Sequence, residues 1–258
     1  MTNPFALTNA AIIGLAVGSF LNVCIYRIPK RESLLFPGSH CGSCGKPLRW
    51  FDNIPVASYL ALRGRCGQCG AAISIRYPVV EVTTAVLTVL VVALTPFGPL
   101  LASRLILTWI LIVLFAVDLE LQILPNAITL PGIVVGLACS VLAPPGLRDA
   151  LVGAAVGAGV LYGIAAAYYL VRREEGLGMG DVKMLAMIGA FLGWRAVLLT
   201  LVMSSFSGAL VGVALMASKR GGLQYALPFG TFLAAGAFIA MLVGEPILAW
   251  YLGYFEGL

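Results

Sequence analysis

The chain has 258 residues, of which 60% are hydrophobic and 10% are charged, and its mean hydropathy is +1.00. This composition excludes an ordinary soluble domain and is typical of a protein that crosses the bilayer several times. The net charge of +5 does not indicate nucleic-acid binding, because the basic residues gather in a few polar loops instead of lining a groove.

The first predicted membrane helix extends from about Phe5 to Ile28, and its small residues favour close helix packing in lipid. The composition then changes abruptly, since residues 27–77 contain eight basic and two acidic side chains. Positively charged loops stay on the cytoplasmic side of a membrane. We therefore expect this segment to be a cytoplasmic loop.

Two Cys-x-x-Cys pairs lie in this loop, Cys41 with Cys44 and Cys66 with Cys69, separated by 21 residues. Each pair can place two thiolates on one tetrahedral ion, so two pairs predict a structural zinc site. The separation is slightly longer than in most zinc ribbons, and two disulfides or free thiols are the alternatives. The cytoplasm disfavours disulfides, which favours zinc. The only histidine, His40, could substitute as a ligand, but four thiolates already fill the site, and we interpret it as a solvated neighbour.

Seven further apolar segments follow the loop. Their approximate bounds are 78–94, 99–117, 125–142, 150–171, 182–193, 196–217 and 226–243. The segment 182–193 is too short for a complete crossing, so about eight transmembrane helices are predicted, with a short sixth one. Glu81, near the start of the second helix, is interpreted as a solvated or paired interfacial side chain.

Four glycines recur in the fifth predicted helix, at Gly153, Gly157, Gly159 and Gly163. No strand precedes them, so they do not form a nucleotide-binding loop. They predict tight packing against a neighbouring helix instead.

The charge distribution sets the expected topology. With the amino terminus outside, 13 of the 16 basic residues lie on the inner side, and only Arg104, Arg148 and Arg195 lie outside. This topology places Asp118, after the third helix, and Asp181, before the sixth, at the cytoplasmic face.

The predicted fold is an all-α polytopic membrane protein in three parts. A first transmembrane helix (1–28) is followed by a cytoplasmic zinc-binding loop (29–77) and by a membrane-embedded core (78–258).

Asp181 follows a glycine-rich turn, Gly176-Leu-Gly-Met-Gly180, and runs straight into an apolar segment. A carboxylate at membrane depth is costly and is more often functional than incidental. Two carboxyl groups in one low-dielectric cleft share a proton; the ionised member can activate water while its partner polarises a peptide carbonyl. Asp118 and Asp181 are therefore candidates for an aspartic-protease pair. The alternative is that both merely cap helices.

Several ordered motifs over nearly the whole chain resemble the type IV prepilin peptidases, membrane aspartic proteases with a Gly-x-Gly-Asp motif. The motifs are Gly18-Ser-Phe-Leu-Asn22-Val, Tyr26-Arg-Ile-Pro29, the two cysteine pairs, Asn53-Ile-Pro55, Ser58-Tyr-Leu60, Ile75-Arg-Tyr-Pro78 through Glu81, Asp118 followed by Leu124-Pro125, Gly178-Met-Gly-Asp181-Val-Lys183 and Pro228-Phe-Gly230.

The resemblance implies an endopeptidase of the bacterial inner membrane that cuts prepilins or pseudopilins after a glycine, at the cytoplasmic face. Many such enzymes then methylate the new amino terminus with S-adenosylmethionine. By position, Asp118 and Asp181 are the catalytic pair, and Cys41, Cys44, Cys66 and Cys69 are the zinc ligands. Lys183 matches the motif's lysine, either as an electrostatic aid or as a charged residue at a helix end.

The chain departs from the family at two places. Asn126 stands where the family usually has the aspartate of Leu-Pro-Asp, so no catalytic role is expected there. The segment between Pro29 and Cys41 is shorter than in many members, in the region tied to methyl transfer. No strand followed by Gly-x-Gly-x-x-Gly identifies a place for the methyl donor.

Two other functions fit parts of the pattern. The signal-peptide-peptidase and presenilin group has a tyrosine before its first aspartate, whereas Val117 precedes Asp118, and it lacks the cysteine loop. A transporter or scaffold could use two aspartates to relay ions, but the cysteine loop and the Gly-x-Gly-Asp motif disfavour it.

Overall fold

The computed structural model describes residues 3–174, 176–218 and 227–256. Regular structure within these ranges is helical, apart from two isolated bridges in the cysteine loop. The helices are α1 (Pro4–Arg27), α2 (Ala57–Ala61), α3 (Arg76–Leu94), α4 (Pro99–Leu121), α5 (Asn126–Leu142), α6 (Leu147–Arg172), α7 (Met179–Ala217) and α8 (Phe229–Glu256), with a short 3₁₀ turn at Trp50–Asn53.

Six of the described helices are long and apolar enough to cross a membrane, namely α1, α3, α4, α6, α7 and α8. The shorter α5 has 17 residues and is apolar. At 39 residues, α7 is too long for one crossing, and it contains a kink at Gly193. With α5 included and the two parts of α7 counted separately, the described residues contain eight apolar helical segments. This agrees with the predicted all-α membrane architecture.

Gly193 separates the two parts of α7 because its backbone has φ 79° and ψ 172°. Only glycine adopts this conformation without strain. A Cβ at this position would also lie 3.1 Å from Cβ of Pro145. The break lies at the residue where the short sixth helix was predicted to end.

The chain divides into two compact units, Met1–Phe97 and Gly98–Leu258. In the first unit α1 packs against α3 through small residues. A Cβ on Gly14 would lie 2.6 Å from Cα of Ala85, and one on Gly18 would lie 2.7 Å from Cα of Glu81. The predicted division at residues 28 and 77 follows membrane topology instead of compactness, and it stays a prediction.

Arg27 fixes the loop that follows α1. Its guanidinium is buried and donates to the backbone carbonyls of Ser33 (2.9 Å), Pro37 (2.7 Å) and Gly38 (3.3 Å). A buried charge is costly unless its hydrogen-bonding capacity is used. These carbonyls therefore hold Arg27 and the start of the loop together.

In the second unit α6 packs along α7 through two of its four glycines. A Cβ on Gly153 would lie 2.5 Å from the carbonyl oxygen of Gly189, and one on Gly157 would lie 2.5 Å from that of Leu185. A Cβ on Gly159 or Gly163 would have no atom of the described residues within 4 Å. The packing predicted for all four glycines is confirmed for two and wrong for the other two.

We expect Gly153→Ala to destabilise the protein by about 1–3 kcal/mol, because the new methyl meets backbone atoms that have no alternative rotamer. Gly159→Ala is the matched control on the same helix and should leave the melting temperature unchanged or slightly higher, since alanine favours helix. Thermal unfolding in detergent measures both. Equal melting temperatures for Gly153→Ala and the wild type would contradict the close approach of α6 to α7.

The predicted loop containing Lys219 and Arg220, and the predicted start of the last helix at residue 226, lie outside the described residues.

Candidate active site

Asp118 lies in the last turn of α4 and is buried, with 4% of its surface exposed. Its Oδ2 accepts a hydrogen bond from the backbone N–H of Thr231 (2.6 Å) and another from the Thr231 hydroxyl (3.0 Å). Thr231 is in the first turn of α8. The first N–H groups of a helix have no partner inside the helix and carry partial positive charge, so the start of α8 is a suitable place to hold a carboxylate.

Thr231 was not predicted as a site residue. It is 113 positions from Asp118 in sequence, and no spacing rule connects them. The sequence signal near Thr231 is Pro228-Phe-Gly230, which directly precedes it and is one of the motifs that carry the family resemblance.

Asp181 is the third residue of α7 and lies in its first turn, where the helix N-terminus favours a carboxylate. Its side chain folds back over Gly178, because a Cβ at residue 178 would lie 3.2 Å from Oδ2 of Asp181. Asp181 is half-buried and interacts electrostatically with Asp118. The two predicted aspartates thus lie in the same compact unit, close enough for the charge of Asp118 to act on Asp181.

Leu124 fills the space beside the two aspartate-bearing segments. A Cβ on Gly180 would lie 2.9 Å from Cβ of Leu124, and one on Gly230 would lie 2.9 Å from Cδ1 of Leu124 and 3.0 Å from Cγ of Asp118. The absence of side chains at 180 and 230 is therefore what allows Leu124 and Asp118 to approach these backbones.

Lys183 connects the first turns of α7 and α5. Its Nζ donates a 2.9 Å hydrogen bond to Oδ1 of Asn126. Lys183 is two residues after Asp181 in sequence, and this hydrogen bond fixes its side chain against Asn126. The hydrogen bond therefore links the Gly-x-Gly-Asp motif to the segment that follows Leu124-Pro125.

A cluster of four thiols lies in the first unit. The sulfur atoms of Cys41, Cys44, Cys66 and Cys69 all lie within 4.8 Å of one another, and those of Cys41 and Cys69 are 3.8 Å apart. Sulfurs on a tetrahedral zinc ion with bonds of about 2.3 Å are separated by about 3.8 Å. All four cysteines are free thiols. The predicted ligands thus come together in an arrangement that fits zinc.

The two halves of the cluster have the same backbone geometry. The N–H of Cys41 donates to the carbonyl of Lys46 and that of Cys66 to the carbonyl of Ala71, at 2.9 and 2.8 Å. The residue after each pair, Gly45 or Gly70, has φ near +70°. Glycine at these positions allows the chain to turn back without strain, a sequence signal that completes the two-knuckle pattern.

Backbone N–H groups stabilise the thiolate form of one cysteine in the cluster. Those of Cys44 and Ser43 lower the pKa of the Cys41 thiol to about 6, because they stabilise its thiolate. The thiolate is the form that binds metal. His40 is exposed, and its Nδ1 lies 3.0 Å from the carbonyl oxygen of Gly38, in agreement with its interpretation as a neighbour and not a ligand.

Two family models match the chain. Residues 12–95 match the bacterial peptidase A24 N-terminal domain, and residues 105–213 match the type IV leader peptidase family.

Similar proteins cover most of the chain. A prepilin leader peptidase/N-methyltransferase of Pseudomonas putida is 41% identical over 276 residues, covering 96% of this chain and 94% of the relative. Proteins with the same name from Aeromonas salmonicida and Myxococcus xanthus are 40% and 44% identical; they cover 93% and 82% of this chain and 92% and 64% of their own lengths. No solved structure matches the chain.

Proposed function

The chain belongs to the type IV leader peptidase family, and we propose that it is an aspartic endopeptidase that removes the leader peptide from prepilins or pseudopilins after a glycine. The observation that supports this best is the pairing of Asp118, held by the start of α8, with Asp181 at the start of α7. Membership of this family also argues against the two alternative functions, a presenilin-like protease and a transporter or scaffold.

In the proposed mechanism the two carboxyl groups share one proton, as like charges close together disfavour a doubly ionised pair. Thr231 donates two hydrogen bonds to Oδ2 of Asp118, so Oδ1 is the oxygen that would contact the water molecule in this mechanism. The ionised carboxylate takes a proton from the water as the water attacks the peptide carbonyl, and the protonated carboxyl group donates to the carbonyl oxygen. The leaving amine takes up a proton when the C–N bond breaks.

We place this site at the cytoplasmic face of a bacterial inner membrane. The support is the distribution of basic residues, which favours a cytoplasmic position for the polar loop and for the ends of the helices that carry both aspartates.

The Cys41, Cys44, Cys66 and Cys69 cluster is proposed to bind one structural zinc ion. The spacing of its sulfur atoms and the two matching knuckles support this metal. A closed site with four thiolates leaves no open position for catalysis, so the zinc would stabilise the loop.

We also propose that the chain methylates the new amino terminus, as the names of its relatives include this activity. When bound, S-adenosylmethionine would supply the methyl group that the new amino terminus receives. The Pseudomonas putida alignment extends over 276 residues, so that relative contains residues with no counterpart in these 258.

Co-expression with a prepilin and mass spectrometry of the pilin's amino terminus tests both reactions. The expected product begins directly after the leader's final glycine, and its mass shows whether a methyl group has been added. An intact leader in cells that contain the folded enzyme would refute the proposed peptidase function.

Thr231 is proposed to position Asp118, and Thr231→Val should lower kcat for leader cleavage by about tenfold while leaving KM unchanged. The valine keeps the backbone N–H but removes the hydroxyl donor to the buried carboxylate. Thr231→Ser restores that donor and should recover most of the activity. Loss of activity in both variants, or a change confined to KM, would contradict this role.

A further inference from the structure

A cavity of about 330 Å³ lies within the first unit, between α1, the cysteine loop and the start of α3. Its volume falls in the range of small-molecule and cofactor sites. The lining includes the polar side chains of Ser19, Asn22, Asn53 and Glu81, together with aromatic rings such as Tyr59. The lining also includes Arg27, whose guanidinium is already bound to loop carbonyls, and Cys41 and Cys66 of the thiol cluster. Asn22 and Glu81 have no role among those proposed so far.

Asn22 has an unpartnered oxygen in the lining. The residue is 2% exposed, and its Nδ2 donates to the carbonyl oxygens of Gly18 (3.3 Å) and Tyr77 (3.1 Å). Those two acceptors require the amino end of the amide to face them. Oδ1 is then left buried without a hydrogen-bond donor. Buried polar atoms are nearly always satisfied, so a donor from a bound molecule would complete this site.

Glu81 brings a buried negative charge to the same cavity, since it is 8% exposed. Its Oε2 accepts a 2.8 Å hydrogen bond from the N–H of Val56, and Ser19 also hydrogen-bonds to it. Within the part of the chain that the structure describes, no lysine or arginine forms a salt bridge with Glu81. A buried carboxylate that has hydrogen bonds but no cation is suited to a positively charged ligand.

Val56 is held in an unusual conformation beside Glu81, with φ 60° and ψ −47°. A β-branched residue at positive φ is a genuine outlier, and such strain concentrates at functional sites. The N–H of Val56 donates to Glu81, which lines the cavity, so this hydrogen bond contributes to holding the strained backbone.

We propose that this cavity binds S-adenosylmethionine, with Glu81 facing its positive charge and Oδ1 of Asn22 accepting a hydrogen bond from it. This rests on the methyl transfer proposed above. The cofactor carries a sulfonium and an ammonium group against one carboxylate, so its net charge complements Glu81. Its amino and hydroxyl groups can supply the donor that Asn22 lacks, and its adenine ring suits an aromatic lining.

Cofactor binding by the full-length, detergent-purified protein tests the site directly. By isothermal titration with S-adenosylmethionine, Glu81→Gln and Asn22→Ala should each weaken binding by at least about tenfold. Glu81→Gln keeps an acceptor for Val56, so it removes the charge and retains the loop contact. Glu32→Gln, the same change at an exposed position of the first unit, should bind as the wild type does. Wild-type affinity in Glu81→Gln, or no binding by the wild type, would overturn the proposal.

Two further measurements keep the result interpretable. Ultraviolet cross-linking of labelled S-adenosylmethionine to the wild type should place the label within residues 19–81, whatever the variants do, and label within 98–258 would overturn the site. Leader cleavage, measured on the same samples, should be unchanged in Glu32→Gln. A failed binding test with normal cleavage therefore refutes the cavity, whereas absent wild-type cleavage refutes the peptidase function.

Discussion

Asp118→Asn and Asp181→Asn are each expected to abolish leader cleavage, lowering its rate by at least about a thousandfold. Asparagine keeps the size of each side chain but can neither accept a proton from water nor hold the proton that the pair shares. The measurement is the ratio of processed to unprocessed prepilin in cells, normalised to the amount of enzyme. Enzyme levels should stay close to those of the wild type, because the substitution removes a buried charge without creating a void.

Asp149→Asn is the matched control for this pair, since it makes the same change at an exposed carboxylate in the first turn of α6. Its processing should equal that of the wild type. A variant at Asp118 or Asp181 that still processes prepilin at a normal rate would remove that residue from the catalytic pair.

The double substitution of Cys41 and Cys66 by serine is expected to release the zinc ion and to unfold the cysteine loop. Structural zinc contributes on the order of 10 kcal/mol to the folding of small metal-binding segments, far more than the few contacts of short elements such as α2 supply. Elemental analysis should give about one zinc per wild-type chain and none in the variant. Limited proteolysis should then cut the variant within residues 29–77.

Cys139→Ser provides the control, because it makes the same chemical change at a free cysteine outside the cluster. It should retain its zinc and its protease resistance. Wild-type protein without zinc, purified in the absence of chelators, would refute the metal site.

The membrane helices could be predicted from the sequence because a transmembrane helix needs a continuous apolar stretch, and the length of such a stretch is visible in the sequence. The break in α7 was predictable for a similar reason, since a short apolar piece ends at Gly193, where the structure has its kink. Helix packing was harder. Gly153 and Gly159 look equivalent in sequence, and only the direction of each glycine on the folded helix decides which one meets α7.

The candidate site was predicted in part. Asp118 and Asp181 each follow a recognisable local pattern, whereas Thr231 contributes through a contact between distant helices that no local pattern encodes. Glu81 was interpreted as a solvated or paired side chain. It is hydrogen-bonded and buried instead, because the cysteine loop folds back so that the N–H of Val56 can donate to it. That folding depends on tertiary contacts of the loop, which the spacing of residues does not reveal.

The hydrogen bonds of Arg27 to the segment after α1 are made to main-chain oxygens, those of Ser33, Pro37 and Gly38. Every amino acid offers the same carbonyl group, so the side chains of these three positions are not what the guanidinium recognises. Evolution can therefore exchange them freely, while Arg27 itself is constrained. We expect related proteins to diverge in this segment and still hold it against the end of the first helix.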